Sequence, residues 1–506
     1  MSMFDATATR SVPMNPGGIL LTTLNARYRH TALGLRCLKA NLEELAPDCR
    51  IMEFDIHDRP VDIAESLLHH RPAIIGIGVY VWNVEPVAQL LEILKAIAPE
   101  TLLILGGPEA GYAPDNAAWH APADLRVAGE GEWIFRDLCR QHRANRRIQP
   151  PANKRIVAPP IDLSQAILPY GLYDVQDIKH RFTYVEACRG CPCGCIFCLS
   201  ANDAPMRQVP IDRFLDAMEN LLDRGARQFK FVDRSFNLNS AHALAILDFF
   251  LERLSPELFL HFEMLPGHLP RPLKDRLALF PKGTVQLEIG LQTFNATTHR
   301  HIQRRQNNNS ADKTLSWLRT HTQVHLHTDL ILGLPGESLP SMAQGFDRLL
   351  RLQPHEIQVG LLKRLHGTAL ARRDDLKHIT FNPCPPYDIL ENDQIDFATM
   401  QRLRRFARYW DLIGNSGRFP HFIDWLRGQK TPFASFLTLS DWLFATTRQT
   451  HRIALPRLFR LMAQGLIQSL KLDPDTAHPI LQQDWKVCGY GEDPVWEMDG
   501  RSGQPD

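Results

Sequence analysis

The sequence predicts an α/β protein in three parts: a doubly wound parallel sheet, a partial (β/α)6 barrel and a helical C-terminal region. Three observations predict it. Short apolar runs alternate with amphipathic helical patterns from Gly18 to about Arg143, as buried parallel strands and their crossovers do. A second alternating series runs from Phe182 to Leu362. Beyond about Cys384 the strands fade and aromatic, Arg-rich helices take over. The 506 residues suit several domains, and 44% hydrophobic with 22% charged residues suits large cores.

The first series opens with the strand Gly18–Leu24, the polar turn Asn25–His30 and a helix over Ala32–Leu45. A strand at Arg50–Phe54, a helix near Ile63–His70, the strand Ala73–Val79 and a helix at Val84–Ile97 follow. The strand Thr101–Leu105 ends in Gly106-Gly107-Pro108-Glu109, and Asp124–Val127 leads to Gly129-Glu-Gly-Glu132 and a further helix. Ligands of such sheets sit beyond the carboxyl ends of the strands, where these turns fall. Residues 17–142 form this Rossmann-like domain. Pro and basic residues without periodicity, over Arg143–Pro169, read as a linker, assigned to 143–180.

The second series occupies 181–383. Its strands are Phe182–Glu186, Gln228–Val232, Leu258–Glu263, Thr284–Glu288, Val324–Leu332 and Glu356–Leu362. Its helices are Val209–Arg224, Ala241–Leu254, Arg271–Leu279, Ser310–Thr320 and Met342–Leu352. Six βα units in a row predict a TIM-like partial barrel with its chemistry at the strand C-terminal ends. Helices at Phe397–Trp410, Phe419–Arg427, Phe433–Thr447 and Arg457–Leu470 make up a region over 384–490, and 491–506 is a polar, disordered tail.

The net charge of +1 argues against a polyanion partner, so nucleic acid is not expected. No apolar run approaches 18 residues, so no membrane helix is expected. Met1 to Pro16 lacks a signal-peptide core and reads as a floppy leader. A cytoplasmic location follows, where thiols stay reduced.

Five of the ten cysteines lie in Cys188-Arg-Gly-Cys191-Pro-Cys193-Gly-Cys195-Ile-Phe-Cys198. Reduced thiols this dense, in a Gly- and Pro-containing loop, are metal ligands. A zinc site from Cys188-x2-Cys191 and Cys195-x2-Cys198 is one reading, although only Pro192, Cys193 and Gly194 separate the pairs. The other is the Cys-x3-Cys-x2-Cys subset, Cys191, Cys195 and Cys198. Three thiolates can hold three irons of a [4Fe-4S] cluster and leave the fourth open. Cys188 and Cys193 then stand outside the pattern.

That spacing, with Phe197 before the last cysteine, resembles the radical S-adenosylmethionine (SAM) enzymes. The resemblance implies that SAM binds the open iron and is cleaved reductively to a 5′-deoxyadenosyl radical. Gly333-Leu-Pro-Gly-Glu337 and Leu287-Glu-Ile-Gly-Leu-Gln292 look like strand-end motifs of that superfamily. They place Glu288, Gln292, Gly333 and Arg304 near the cofactor. The usual Gly-Gly-Glu stretch is absent; Asp233 and Asn237 stand in its place, with Asp233 or Arg234 as the substitute. The proton-transfer and other catalytic residues are not identified.

The N-terminal domain resembles the cobalamin-binding domains of B12-dependent radical SAM enzymes, through Leu105-Gly-Gly-Pro-Glu109 and Gly129-Glu-Gly-Glu132. The resemblance implies a cobalamin site drawing on Asn25, Tyr80, Gly106, Gly107, Gly129 and Glu130. The Asp-x-His-x-x-Gly motif that supplies a cobalt ligand is missing. Asp55-Ile-His57 lies after the second strand with Pro60 in place of the glycine, so cobalamin is expected without a protein imidazole, and His30 is the one weighed alternative. Together with Val81-Trp82-Asn83, Phe231–Asn237 and the Arg-rich tail, the chain resembles B12-binding radical SAM proteins with a C-terminal domain of unknown function, DUF4080.

The resemblance implies a radical SAM enzyme that methylates an unactivated carbon with the help of cobalamin. Its substrate is unnamed, and its reducing partner is of the flavodoxin or ferredoxin kind. The alternatives are radical rearrangement or oxidation without methyl transfer, or a non-catalytic corrinoid or Fe-S sensor. The domain order also resembles methylthiotransferases, but no small β-rich RNA-binding tail is visible. Arg402, Arg404, Arg405 and Arg408 read as a solvated helix face.

Overall fold

A computed structural model of the chain describes residues 17–491 apart from 147, 150, 204 and 377. The leader Met1 to Pro16 and, Gly491 aside, the expected tail 491–506 lie outside the described residues.

The N-terminal domain runs β1 (Ile19–Asn25), α1 (Leu33–Ala40), β2 (Cys49–Asp55), α2 (Pro60–Leu68), β3 (Ile74–Gly78), α3 (Val84–Ile97), β4 (Leu102–Gly106), α4 (Pro108–Tyr112), β5 (Leu125–Gly129), α5 (Gly131–Arg143) and β6 (Arg155–Ala158). All six strands are parallel in the order β2-β1-β3-β4-β5-β6. Every residue of β1 is buried because helices cover both faces. Leu20, Leu24, Ile75 and Ile77 pack toward α2 and α3. Ile19, Leu21, Ile74 and Ile104 pack toward α1 and α5. The chain reverses direction across the sheet between β1 and β3, which opens a crevice at their carboxyl ends.

The expected linker is in part an element of this sheet. Arg155-Ile-Val-Ala158 pairs with Arg126–Gly129 as the edge strand β6, and Ile161, Leu163, Tyr170 and Tyr173 beyond it are buried. Four residues flanked by polar sequence carry too little periodicity to be read as a strand. The strap continues into α6 (Val175–His180). Buried Arg36 pairs with Glu53 at 2.5 Å and with Asp177 of α6 at 2.6 Å, while Arg181 reaches Glu53 and Asp177 at 2.9 Å each. Two cations and two carboxylates thus balance where the two α/β parts meet.

The second part runs β7 (Thr183–Val185), β8 (Cys188–Arg189), β9 (Arg207–Gln208), α7 (Ile211–Asp223), β10 (Gln228–Phe231), α8 (Ser240–Leu251), β11 (Phe259–Met264), α9 (Arg271–Leu277), β12 (Val285–Gln292), α10 (Ala296–His301), α11 (Asn308–His321), β13 (His325–Leu332), α12 (Leu339–Arg351) and β14 (Glu356–Leu361). Six parallel strands in the order β14-β13-β12-β11-β10-β7 form an open, partial barrel. Leu287, Ile289 and Leu291 of β12 lie buried under the helices, and the residues between them face the lumen. The register stacks lumen residues in rows: Lys230 by His261, Glu263 by Glu288 by His327, and Gly290 by Asp329 by Gln358. The lumen is polar where the outer faces are apolar.

The third part adds the hairpin β15 (Thr380–Phe381) and β16 (Ile389–Glu391), then α13 (Phe397–Ile413), α14 (Pro420–Arg427), α15 (Pro432–Thr447), α16 (Leu455–Gln468) and α17 (Pro474–Val487). Phe346 of α12 meets Phe406, Trp410 and Phe433 at 4.8–5.7 Å between ring centroids, so these helices share the barrel's core. The arginines expected on a solvated face are 37–51% exposed at Arg402, Arg404 and Arg408, and they are also paired. Arg402, Arg404 and Arg408 pair with Asp441, Asp388 and Asp411, and Arg405 lies 4.3 Å above the Phe444 ring.

Candidate functional site

The cysteine loop leaves β7 and is held at several points. The Asp233 carboxylate, past the end of β10, accepts the N–H groups of Ala187 at 3.0 Å and Cys188 at 2.6 Å. Burial raises the Asp233 pKa to about 7. Gly190 takes φ +95°, and a Cβ there would come within 1.9 Å of the Asp203 carbonyl, so only glycine fits. Mid-loop, the Ile196 N–H donates to Ile302 at 3.2 Å and its carbonyl accepts from Leu370 at 2.7 Å. The Cys198 N–H closes back on the Cys195 carbonyl at 3.1 Å.

The loop forms one wall of a cavity of ≈ 230 Å³ at the strand C-terminal ends. Cys191, Cys193, Cys195 and Cys198 line it with Phe197, Glu288, Gln292 and Arg304. Arg304 Nη1 lies 3.6 Å from Cys195 Sγ, and Nη2 donates to the Gly290 carbonyl. Burial raises the Cys195 pKa against that cation. A hydrogen bond from the Cys193 thiol lowers Cys191 to about 6 and raises Cys193 itself. The opposite wall holds Arg234, paired with Glu263 at 2.6 Å, and Glu288, 3.1 Å from His261 Nε2. Burial would raise Glu288, but His261 and the nearby cations hold it below the usual carboxylate range.

Two residues expected beside the cofactor are elsewhere. Asp233 is 1% exposed and spends its carboxylate on the loop backbone. Gly333 (φ +81°) packs against Ile389, which a Cβ would meet at 2.6 Å, and makes a turn rather than a cavity wall. Asn237 likewise braces backbone at Leu265 and His268. Arg234, Glu263 and Asp329 line the cavity, and only Arg234 had a signal in sequence, as the alternative to Asp233. The other two alternate with apolar residues on β11 and β13, a pattern that marks a lumen once the barrel is closed around it.

Among the described residues, no three His, Cys, Asp or Glu side chains converge as ligands of a single metal ion. A [4Fe-4S] cluster takes one thiolate per iron, so three sulfurs around a cavity, beside a cation that offsets the thiolates' charge, fit it.

A second cavity, ≈ 360 Å³, lies between the N-terminal sheet and helices α1 and α5. Gly76 and Gly78 of β3 and Gly106 of β4 supply a floor without side chains, and a Cβ at Gly106 would meet nothing within 4 Å. Gly107 (φ +91°) and Gly129 (φ +90°) turn the chain where a Cβ would strike the Val79 and Ala158 carbonyls, at 2.6 and 2.5 Å. Tyr80 also lines the cavity, stacked on Trp82 at 4.5 Å. A glycine-floored slot at the carboxyl ends of β3, β4 and β5 fits part of a broad, flat organic group such as cobalamin.

Asn25 is not among the lining residues; its amide donates to Glu53 at 2.6 Å and to the His30 carbonyl at 3.1 Å. No described histidine lines the cavity. His30 Nδ1 meets the Tyr184 hydroxyl at 2.6 Å, and the His57 side chain is 85% exposed. Glu130 lines the cavity but is bound to Arg189 and Arg207. Arg189, between Cys188 and Cys191, also pairs with Glu132 at 2.9 Å and Glu186 at 2.7 Å. The cysteine loop therefore contributes Glu186, Arg189 and Asp203 to the wall of the glycine-floored cavity.

These two cavities define a chain built from known modules. It carries a B12 binding domain over residues 19–139 and a radical SAM superfamily domain over residues 185–348. Residues 377–489 match the family described as protein of unknown function (DUF4080). Over 320 residues the chain is 24% identical to TokK, a cobalamin-dependent radical SAM methyltransferase of Streptomyces tokunonensis, covering 56% of this chain and 46% of that protein. It is 26% identical over 204 residues to an uncharacterized methyltransferase of Pyrococcus horikoshii, covering 37% of this chain and 44% of that protein. The chain thus spans less than half the length of these curated relatives. The structure of the radical SAM methyltransferase TsrM from Kitasatospora setae, with cobalamin and [4Fe-4S] cluster bound, shares the fold at a TM-score of 0.60 and 15% identity, covering 94% of this chain and all of that one. No helix among the described residues is long and apolar enough to cross a membrane.

Proposed function

We propose that the chain is a cobalamin-dependent radical SAM methyltransferase acting on an unactivated carbon. The reading rests on one observation above the others: one continuous segment serves both cavities, with Glu186 and Arg189 lining the glycine-floored cavity and Cys191 to Cys198, directly after them, lining the cysteine cavity. In this class the cluster supplies the electron that cleaves the SAM sulfonium to a 5′-deoxyadenosyl radical, and cobalamin carries the methyl group.

The chain's own residues do the holding. Cys191, Cys195 and Cys198 are the cluster ligands. Arg304 positions Cys195 and fixes the carbonyl at Gly290. Glu288, Gln292, Arg234 and Glu263 provide charged and amide contacts for the SAM polar groups, while Phe197, Met264 and Leu265 keep water from the reacting centre. Glu288 Oε2 is hydrogen-bonded to His261 Nε2 at 3.1 Å, which favours the ionised carboxylate. Tyr80, Gly106, Gly107 and Gly129 would border the cobalamin, in a cavity that no described histidine lines. Electrons come from a flavodoxin or ferredoxin.

The test is anaerobic purification with hydroxocobalamin followed by gel filtration. Co-elution of a corrin spectrum and iron–sulfur absorbance supports the reading. Cluster absorbance without any retained corrin removes the cobalamin part and leaves rearrangement or oxidation as the chemistry.

A further inference from the structure

A third cavity, ≈ 630 Å³, opens along the outer edge of β14, between that strand and one face of α13. Its walls are Gln358–Leu361 on the strand and Arg404, Ala407, Arg408, Asp411 and Asn415 on or just beyond the helix. Those helix positions recur at intervals of three and four, so they form one stripe, with the small Ala407 in its middle. The groove shares Gln292 and Asp329 with the cysteine cavity, so its inner end opens onto the candidate reaction centre.

β14 is an edge strand, paired only with β13. At one end of its free edge, the Asn415 side-chain amide imitates a neighbouring strand. Its Oδ1 accepts the Ile357 N–H at 3.0 Å, and its Nδ2 donates to the Ile357 carbonyl at 3.1 Å. At the other end the Ile389 N–H donates to the Leu362 carbonyl at 2.8 Å. With a two-residue period, the backbone groups of Val359 and Leu361 must face the same way as those of Ile357. No hydrogen bond joins them to another described element beyond β13. The window therefore offers two unfilled rungs. A Cβ at Gly360 would meet only the Leu330 carbonyl, at 3.8 Å, which leaves room toward the lumen.

Three cations and three carboxylates line the groove, but their pairing is uneven. Arg404 and Arg408 are matched by Asp388 and Asp411, and Asp329 at the inner end by His327 at 3.3 Å. Lys363 lines the groove and has no ion pair among the described residues.

We propose that this groove binds the substrate, and that the substrate is a short extended peptide segment with an acidic residue. It adds a strand to β14 at Val359 and Leu361 and sets its acidic side chain at Lys363. A side chain on its lumen side is presented past Gly360 to Gln292 and Asp329. The inference rests on the methyltransferase reading and adds the substrate class. The docking mode is β-strand addition, in which backbone pairing gives affinity and side-chain pockets give selectivity. The window spans about four residues.

The test uses the full chain and fluorescent, end-blocked peptides of about four residues, in an acidic set and a matched lysine set, read by anisotropy. The acidic set binds, and Lys363→Met removes its advantage. Ala407→Trp fills the groove and abolishes binding while the cluster absorbance stays. Methylating the backbone nitrogens of alternate peptide residues weakens binding about tenfold in one register, through the loss of about two hydrogen bonds, and little in the other. That comparison requires no protein variant. Absence of peptide binding, equal loss in both registers, or binding indifferent to Ala407→Trp overturns the proposal, as does binding of free amino acids in place of peptides. Release of 5′-deoxyadenosine is measured separately, so failure here is distinguishable from failure of the radical SAM reading.

Discussion

The Arg189 guanidinium lies 3.1 Å from the Glu130 carboxylate, joining the cysteine loop to the carboxyl end of the N-terminal sheet. Glu132 and Glu186 complete the contact, and all four side chains are less than a fifth exposed. Truncating the cation leaves buried carboxylates short of a partner, which costs about 3–5 kcal/mol in comparable cases. Arg189→Met is therefore expected to lower the denaturation midpoint and, through loop displacement, to reduce both cluster and corrin occupancy. Arg189→Lys keeps the charge without the planar fork and falls between. Chemical denaturation alongside metal and corrin analysis reads all three.

The five cysteines are expected to separate into two groups. Alanine at Cys191, Cys195 or Cys198 removes iron and sulfide after anaerobic reconstitution. Cys193→Ser is expected to retain the cluster, even though Cys193 lines the same cavity. Equal loss of iron on Cys193→Ser would show that the ligand set is a different one.

Gly106 offers a way to fill the second cavity without straining the backbone, since its φ is ordinary and a Cβ there has open space. Gly106→Val suits a strand end and occupies the floor. Corrin retained after gel filtration is expected to fall at least about tenfold, a loss of about 1.4 kcal/mol, with iron content and melting temperature unchanged.

Asp484 of α17 caps α14 by accepting the His421 N–H at 2.8 Å and the Phe422 N–H at 3.1 Å. Burial raises its pKa from 3.8 to about 6. The folded chain thus holds a proton that the unfolded chain releases between those values. Stability contributed by the protonated form is present below the unfolded value and is lost as pH rises through about 6. Melting temperature measured across that window is expected to fall more steeply in the wild type than in Asp484→Asn, which does not titrate. Asp484→Ala leaves both N–H groups without an acceptor, at about 1–3 kcal/mol.

The sequence showed what depended on periodicity and on dense cysteines. Strands flanked by apolar residues on both sides, such as Ile19–Asn25 and Ile74–Gly78, were legible because both faces are covered. The edge strand Arg155–Ala158 was not, because only four residues pair and its neighbours are polar. At the site, Cys191, Cys195, Cys198, Phe197, Glu288, Gln292 and Arg304, which their motifs singled out, line one cavity. Asp233 was drawn toward the cofactor by its place after a strand, but it serves the loop backbone, which sequence spacing does not reveal. Glu263 and Asp329 were missed because an acidic residue alternating with apolar ones reads as a solvated strand face until the barrel turns that face inward. Arg402 and Arg404 have helical spacing in either case, and only tertiary packing supplied Asp441 and Asp388 as their partners, whereas Asp411 stands three residues after Arg408 on the same helix.

The central claim is that Cys191, Cys195 and Cys198 hold a cluster that cleaves SAM reductively. The most direct measurement is 5′-deoxyadenosine released by anaerobically reconstituted protein with SAM and dithionite, alongside iron and sulfide analysis. The account predicts about four irons and about four sulfides per chain, with release of deoxyadenosine that disappears on Cys195→Ala. A full cluster with no deoxyadenosine would contradict it.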